Sequence, residues 1–179
     1  LERLGLLKMD FLGLRTLTVI RDTLDMMRQE GVDRKPEDIP TDDPGVYRMI
    51  SAGDTDGVFQ LESGGMRLFL QNMKPSCFED IIAAISLYRP GPMESIPRYI
   101  AGKNDPETVH YETPLLKPIL EVTYGCMVYQ EQVMQIVRDL AGYSLGRSDL
   151  MRRAMAKKKK DVMAKEREYF VDGMVDENG

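Results

Sequence analysis

The sequence predicts a mainly α-helical fold with a short strand near the N-terminus and a few other short strands. Apolar residues recur at helical spacing in several segments, helix-start signals precede these segments, and glycine or proline follows them. With 42% hydrophobic and 30% charged residues among 179, the chain can bury a core of its own. We therefore expect one domain, or one domain with an appendage.

The opening residues predict a strand followed by a helix. The segment "LGLLKMDFLGL" has strand character, and it places Lys8 and Asp10 on one side because they are two residues apart. The helix that follows ends at Gly31, since glycine readily adopts the backbone conformation that terminates a helix. The apolar face of this helix consists of Leu17, Ile20, Leu24 and Met27.

The next segments predict three helices. Asp43 caps the first, which begins at Pro44, and a turn and a short apolar run at 58–61 follow it. The segment "GGMRLFLQNM" predicts the second helix. Ser76 and Glu79 form a capping box ahead of the third, in "FEDIIAAISLY".

The motif "RPGPM" ends the third helix. Arg89 precedes a proline, so we expect it in an extended conformation just past the helix end. Residues 97–118 carry most of the remaining prolines and are expected to be mainly loop. A further helix is predicted in "YQEQVMQIVRDLAG", and its apolar face consists of Tyr129, Val133, Ile136, Val137 and Leu140.

Positive charge is concentrated near the C-terminus. The segment from Arg138 to Arg167 has ten Lys or Arg and four Asp or Glu, a local net charge of +6. Because the whole chain carries −5, the remaining residues carry −11. A basic face on an acidic body can attract one polyanion to one side, although a solvated helix face remains the alternative.

A helix with Ser148 as its N-cap would gather this charge into one stripe. The stripe consists of Asp149, Arg152, Arg153, Ala156, Lys157 and Lys160. The opposite side, which would pack on the body, consists of Leu150, Met151, Ala154 and Met155. Arginine binds phosphate oxygens bidentately, and a small residue in the stripe lets a phosphate chain come close. The stripe therefore favours a phosphate-bearing ligand.

Cysteine and histidine usage excludes several kinds of site. Cys77 and Cys126 are isolated and His110 is the only histidine, so neither a zinc site nor a disulfide framework is indicated. A nucleophilic triad would depend entirely on His110. No run of about 18 apolar residues suggests a membrane span. Without an initiator Met, the sequence is expected to be part of a longer, cytoplasmic polypeptide.

Five motifs in order resemble the alpha subunit of bacterial DNA polymerase III, the C-family of replicative polymerases. They are "KMDFLGLRTLTVI", "GVFQLESGGM", "LYRPGPM", "TYGCMVYQEQVMQI" and "AGYSLGRSDLMRRAMAKKK". The resemblance covers nearly the whole chain. The family commonly has glycine at the position of Ala156, which is a small residue too.

The resemblance implies that residues 1–14 end the catalytic palm and residues 15–179 form the helical fingers domain. The full polymerase would join a deoxynucleotide to a primer 3′-hydroxyl with two Mg²⁺ ions. Asp10 would be the third catalytic aspartate and a metal ligand. The implied nucleotide-binding residues are Lys8, Arg89, Arg152 and Arg153, and the implied DNA-binding residues are Lys157 and Lys160.

The implied partners are primer-template DNA, the incoming deoxynucleotide and, through regions that this chain lacks, other replisome subunits at the bacterial nucleoid, without a membrane. With one of three aspartates, this chain alone is predicted to be inactive. Its motifs also include Gln60, Glu62, Tyr129 and Gln130, for which the sequence does not separate binding from packing. Two alternatives are a freestanding helical nucleic-acid-binding module and a protein-interaction domain.

Overall fold

The structure is a computed structural model that describes residues 4–6, 9–173 and 175. In this part of the chain, nine α-helices follow one another, joined by turns and short 3₁₀ segments. They are α1 (Arg15–Gln29), α2 (Pro44–Ser51), α3 (Gly64–Met73), α4 (Phe78–Leu87), α5 (Ile96–Asn104), α6 (Lys117–Leu120), α7 (Gln130–Ala141), α8 (Leu145–Ala156) and α9 (Lys160–Asp172). The prediction of a mainly helical fold is confirmed.

The described residues contain no β-strand, so the predicted short strands are not confirmed. Residues 9–14 have no regular secondary structure, and the apolar run at 58–61 lies mainly in turns. Thr55 closes that turn region by donating its hydroxyl to the Leu61 carbonyl at 2.6 Å. An isolated extended segment gains no ladder hydrogen bonds, because it needs a neighbouring strand.

Two predicted helix boundaries are confirmed. The Asp43 carboxylate accepts a hydrogen bond from the Gly45 amide at 2.7 Å, and α2 begins at Pro44. Gly31 has a φ of +85° just after α1, the left-handed conformation that terminates a helix.

The expectation of loop over 97–118 is wrong for its first part, because Pro97 lies in the first turn of α5, where its missing N–H is harmless.

The predicted capping box of α4 is wrong. The N-cap is Cys77, and Asp80 instead of Glu79 turns back to the chain before the helix. The Asp80 carboxylate accepts from the Ser76 amide at 2.7 Å and from the Lys103 ammonium at 2.8 Å. Asp80 is buried because it forms this ion pair with α5, while Glu79 stays exposed.

The hydrophobic core lies among α2, α3, α4 and α5. Leu70, Met73 and Leu87 are fully buried in it, and Tyr99 meets the Tyr124 ring edge to face at 5.1 Å. By contrast, α1 has no buried residue, although its helical spacing was predicted correctly. Its predicted apolar face therefore belongs to no core within the described residues.

Helices α7, α8 and α9 pack together beside this core. The Arg147 guanidinium lies 4.4 Å from the centroid of the Tyr143 ring and 4.5 Å from that of Tyr169. Arg147 also pairs with Glu166 at 3.1 Å, and the Tyr143 hydroxyl donates to the same carboxylate at 2.9 Å. Part of the basic charge near the C-terminus therefore joins helices to one another.

Gly102→Ala is expected to lower the free energy of unfolding by about 1–3 kcal/mol, the usual cost of overpacking. An added Cβ would lie 2.7 Å from the Tyr124 Cβ and 3.0 Å from the Val109 Cγ2. Gly146→Ala in α8 is the matched control, because no atom lies within 4 Å of its added Cβ. Urea unfolding of both variants checks this, and equal stabilities would contradict it.

Candidate functional site

A cleft of about 750 Å³ lies where the end of α4, the start of α7 and the end of α8 meet. Three cationic residues line it, namely Arg89, Arg152 and Lys158. The one carboxylate among the described lining residues belongs to Glu131. Positive charge therefore prevails in the cleft, which favours an anionic ligand.

The first wall of the cleft is the "RPGP" loop. Arg89 lies just past the end of α4, as predicted, and it is exposed. Two prolines restrict the backbone here, while Gly91 has a φ of +103° and so permits the sharp turn between them. The Arg89 carbonyl accepts from the Met93 amide at 3.1 Å, which closes the loop.

The second wall is the start of α7, where Tyr129 and Gln130 line the cleft. Its backbone is held by Gln132, whose Oε1 accepts from the amides of Val128 and Tyr129, both at 2.9 Å. The Gln132 Nε2 donates to the Thr123 hydroxyl at 2.8 Å and to the Ile119 carbonyl at 3.1 Å. Gln132 was missed in the sequence, although glutamine three residues after an N-cap is a recognisable signal.

The third wall is the end of α8, where Asp149 organises two arginines. Its Oδ1 accepts from the Arg152 Nε at 2.9 Å and Nη2 at 2.7 Å, and its Oδ2 pairs with the Arg153 Nε at 2.7 Å. The Arg152 Nη1 donates to the Gln130 Oε1 at 2.7 Å. The hydrogen bond from Arg152, together with the charge of Arg153, lowers the pKa of Asp149. A partly neutralised arginine pair results, with Arg152 oriented toward α7.

The two predicted nucleotide-binding arginines of α8 have different surroundings. Arg152 lines the cleft and has a side chain that is 25% exposed. Arg153 is not among the residues that line it, and its side chain is 61% exposed. Of the four predicted nucleotide-binding residues, the structure brings Arg89 and Arg152 together, while Lys8 lies outside the described residues.

The predicted start of the basic helix is wrong. Helix α8 begins at Leu145, and the Ser144 hydroxyl caps it by accepting from the Arg147 amide at 3.3 Å. Ser148 lies inside the helix, is fully buried and donates to the Ser144 carbonyl at 2.9 Å. The helix starts earlier because Gly142, with a φ of +68°, ends α7 and reverses the chain directly before it.

The predicted basic stripe is interrupted. Helix α8 ends at Ala156 with Lys157 as its C-cap, and α9 begins at Lys160, so Lys160 does not lie on one continuous helical face with Arg152. Both lysines are exposed, and neither lines the cleft. Lys158 does line it, and no sequence signal singles it out, because four consecutive lysines carry no periodicity.

The predicted packing side of α8 is confirmed in part. Ala154 is buried, and Met151 is half-buried. Leu150 is 64% exposed and Met155 is 39% exposed, with Met155 lining the cleft together with Ala156. Because the cleft opens beside the end of α8, the methyl group of Ala156 leaves room there, as expected for a small residue.

The described residues do not form a metal site. Asp10 is exposed, and no group of three or more His, Cys, Asp or Glu side chains that could hold an ion occurs among them. Magnesium takes several oxygen ligands, which one carboxylate does not supply. The role of Asp10 as a catalytic metal ligand therefore stays a prediction. Gln60, with a φ of +65°, and Glu62 lie between α2 and α3, away from the cleft lining.

A smaller cavity of about 250 Å³ lies beside α5 and is lined by Arg98 and His110. The Arg98 guanidinium donates to the His110 carbonyl at 3.2 Å, so this cation is engaged in holding a loop. The larger cleft is the better candidate site, because it gathers three cations from separate parts of the chain.

Residues 16–178 match the family model of the bacterial DNA polymerase III alpha subunit finger domain. The chain belongs to this family. The DNA polymerase III subunit alpha of Staphylococcus aureus strain COL is 51% identical to it over 173 residues, which cover 96% of this chain and 16% of that protein. That of Staphylococcus epidermidis strain ATCC 12228 is 49% identical with the same coverage.

The resemblance to the DNA polymerase III alpha subunit is therefore confirmed. The chain spans 16% of the length of the relatives that it matches, and the matched part is the finger domain. None of the helices in the described part of the chain has both the length and the apolar character needed to cross a bilayer.

Proposed function

We propose that this chain forms the fingers of a bacterial replicative DNA polymerase, and that the cleft between α4, α7 and α8 binds the triphosphate of an incoming deoxynucleotide. The main support is that Arg89 and Arg152, which are distant in sequence, line one cleft in which cations prevail. Family membership supports the polymerase assignment, because residues 16–178 match the finger domain.

In the proposed reaction, the primer 3′-hydroxyl attacks the α-phosphate of the nucleotide. The hydroxyl loses its proton to solvent as a new phosphodiester bond forms. The bond between the α- and β-phosphates breaks, and pyrophosphate leaves with the negative charge that develops on it. Arg89 and Arg152 would bind the phosphates and offset this charge, since arginine presents a planar fork that matches phosphate oxygens. The cleft would thereby position the nucleotide and stabilise the leaving group.

The exposed cations outside the cleft are proposed to meet primer-template DNA. Lys157 lies in the turn that follows α8, and Lys160 lies after that turn. Arg153 lies on α8 and is largely exposed. Contacts of this kind bind the DNA backbone and depend strongly on salt, because they release counterions. Arg153 is also proposed to contact the nucleotide, where the bound triphosphate extends past the cleft.

The division of the chain stays a proposal, with residues 1–14 in the palm and residues 15–179 in the fingers. It is supported by the family match, which begins at residue 16. The proposed partners are the deoxynucleotide, primer-template DNA and the other replisome subunits in the bacterial cytoplasm. Asp10 is proposed to contribute one carboxylate of the catalytic centre, and the chain by itself is proposed to be inactive.

Arg89→Ala in the complete polymerase is expected to raise the nucleotide concentration for half-maximal incorporation by about tenfold, the loss of one charge-assisted contact. Arg138→Ala is the matched control, because Arg138 is exposed on α7 and does not line the cleft. Steady-state primer extension at saturating DNA measures both. Equal effects of the two substitutions would count against the cleft as the nucleotide site.

A further inference from the structure

The four consecutive lysines at 157–160 occupy four different backbone positions. Lys157 is the C-cap of α8, and Lys158 has a φ of +50°. Lys159 is the N-cap of α9, and Lys160 is its first residue. A turn therefore separates side chains that a continuous helix would have spread evenly around its axis, and of the four only Lys158 lines the cleft.

Two backbone hydrogen bonds fix this turn. The Lys158 amide donates to the Met155 carbonyl at 3.1 Å, and the Lys159 amide donates to the Ala154 carbonyl at 3.0 Å. This pair of bonds is the Schellman arrangement, in which the residue at the position of Lys158 is usually glycine because it must be left-handed. A lysine is uncommon at this position, because residues with a side chain rarely adopt the left-handed conformation.

We infer that Lys158, and not its three lysine neighbours, contacts the phosphates of the incoming nucleotide. The inference rests on the proposed function, and it adds a residue that neither the family resemblance nor the basic stripe assigned. The turn places Lys158 in the lining of the same cleft as Arg89 and Arg152, so that three cationic residues from separate segments line it.

The partners of Arg152 make a third cation useful. Three nitrogen atoms of its guanidinium donate to Asp149 or Gln130, so its charge is already partly offset. An ammonium on a flexible stem carries three donors and can follow phosphate oxygens that a fixed guanidinium does not reach. A nucleoside triphosphate carries several negative charges. Because Asp149 offsets part of the Arg152 charge, Arg89 and Lys158 would supply the remaining positive charge.

Lys158→Gly in the complete polymerase separates the side chain from the turn. Glycine favours the left-handed conformation, so the variant removes the ammonium while the turn is retained. We expect the nucleotide concentration for half-maximal incorporation to rise by about tenfold, with the Kd for primer-template DNA changed less than about twofold. Lys158→Arg should keep most of the wild-type affinity for nucleotide, because it retains the charge.

Lys159→Ala is the matched control, since it removes the same charge from the adjacent residue, which does not line the cleft. If Lys159→Ala raises the nucleotide requirement as much as Lys158→Gly, the effect comes from the summed positive charge of the lysines, and the inference is overturned. It is also overturned if Lys158→Gly has no effect while Arg89→Ala does, although the proposed function then stands. If neither variant alters nucleotide dependence, both proposals fail.

Folding is checked with the same proteins. The thermal unfolding midpoint of the Lys158→Gly polymerase should equal or exceed that of the wild type, because glycine relieves the left-handed backbone. If it falls, Lys158→Asn is the second variant, since asparagine tolerates this conformation and also lacks the charge. A normal nucleotide requirement in a folded Lys158→Asn enzyme overturns the inference.

Discussion

Arg152→Ala in the complete polymerase is expected to lower kcat/KM for nucleotide incorporation by about 100-fold or more, the usual loss when a preorganised donor to a developing anion is removed. Arg152 lines the cleft and is held by Asp149 on one edge and by Gln130 at 2.7 Å. Its guanidinium is therefore oriented before the nucleotide arrives. Binding of primer-template DNA should change little, because the loss concerns the triphosphate.

Two further substitutions make this result specific. Arg152→Lys should recover little activity, since an ammonium does not reproduce the fork that bonds Asp149 and Gln130 and that is proposed to bind a phosphate. Arg153→Ala should have a smaller effect on nucleotide dependence, because Arg153 is 61% exposed and does not line the cleft.

Single-turnover incorporation at several nucleotide concentrations, beside a DNA titration, measures both arginine variants. A loss of DNA affinity as large as the loss of kcat/KM would assign Arg152 to the DNA. Equal losses of kcat/KM in the two alanine variants would mean that the pair acts as one electrostatic surface. Either outcome contradicts the proposal that Arg152, rather than Arg153, binds the triphosphate in the cleft.

The helices could be predicted from the sequence because their signals are local. Asp43 caps α2 and Gly31 follows α1 as expected, since a cap depends only on the residues beside it. The position of Arg89 was also predictable, because a proline restricts the residue before it. These local rules place Arg89 at the end of α4, but they do not show that it meets Arg152 in the cleft.

The remaining errors of the sequence predictions arise where contacts between residues that are distant in sequence determine the structure. Ser76 and Glu79 have the spacing of a capping box. Asp80 accepts the hydrogen bond from the Ser76 amide instead, and Lys103 on another helix pairs with Asp80. Ser148 resembles a cap, yet it is buried inside α8. Lys158 is the left-handed residue of the turn after α8, and sequence rules expect glycine at that position. Each outcome depends on packing that no short window of sequence contains.

Removing one partner of the buried ion pair between Asp80 and Lys103 is expected to lower the stability of the fold strongly. Its atoms lie 2.8 Å apart, and the side chains are 3% and 12% exposed. Burial by itself would raise the pKa of Asp80, but the hydrogen bonds from Lys103 and from the Ser76 amide outweigh it and lower the pKa below its ordinary value. The folded state therefore favours the ionised carboxylate.

Lys103→Met is expected to lower the free energy of unfolding at neutral pH by about 3–5 kcal/mol, because it leaves a buried carboxylate without its counter-ion. The Lys103→Met, Asp80→Leu double variant should recover much of this loss, since it buries no charge. Urea unfolding of the wild type, the two single variants and the double variant measures the coupling. Additive losses would show that the two residues do not stabilise the fold as a pair.

The pH dependence provides a second and independent measurement of the same pair. In the wild type, the folded pKa of Asp80 lies below its unfolded value, so the unfolded chain binds more protons and this stabilisation is lost as pH falls through the folded pKa. In Lys103→Met, burial is no longer opposed by the ammonium, so the pKa of Asp80 should rise and protonation should relieve the penalty. The stability difference between the two proteins should therefore narrow as pH falls from 7 toward about 4. A difference that stays constant over this range would mean that Lys103 stabilises the fold by packing, and not through the charge of Asp80.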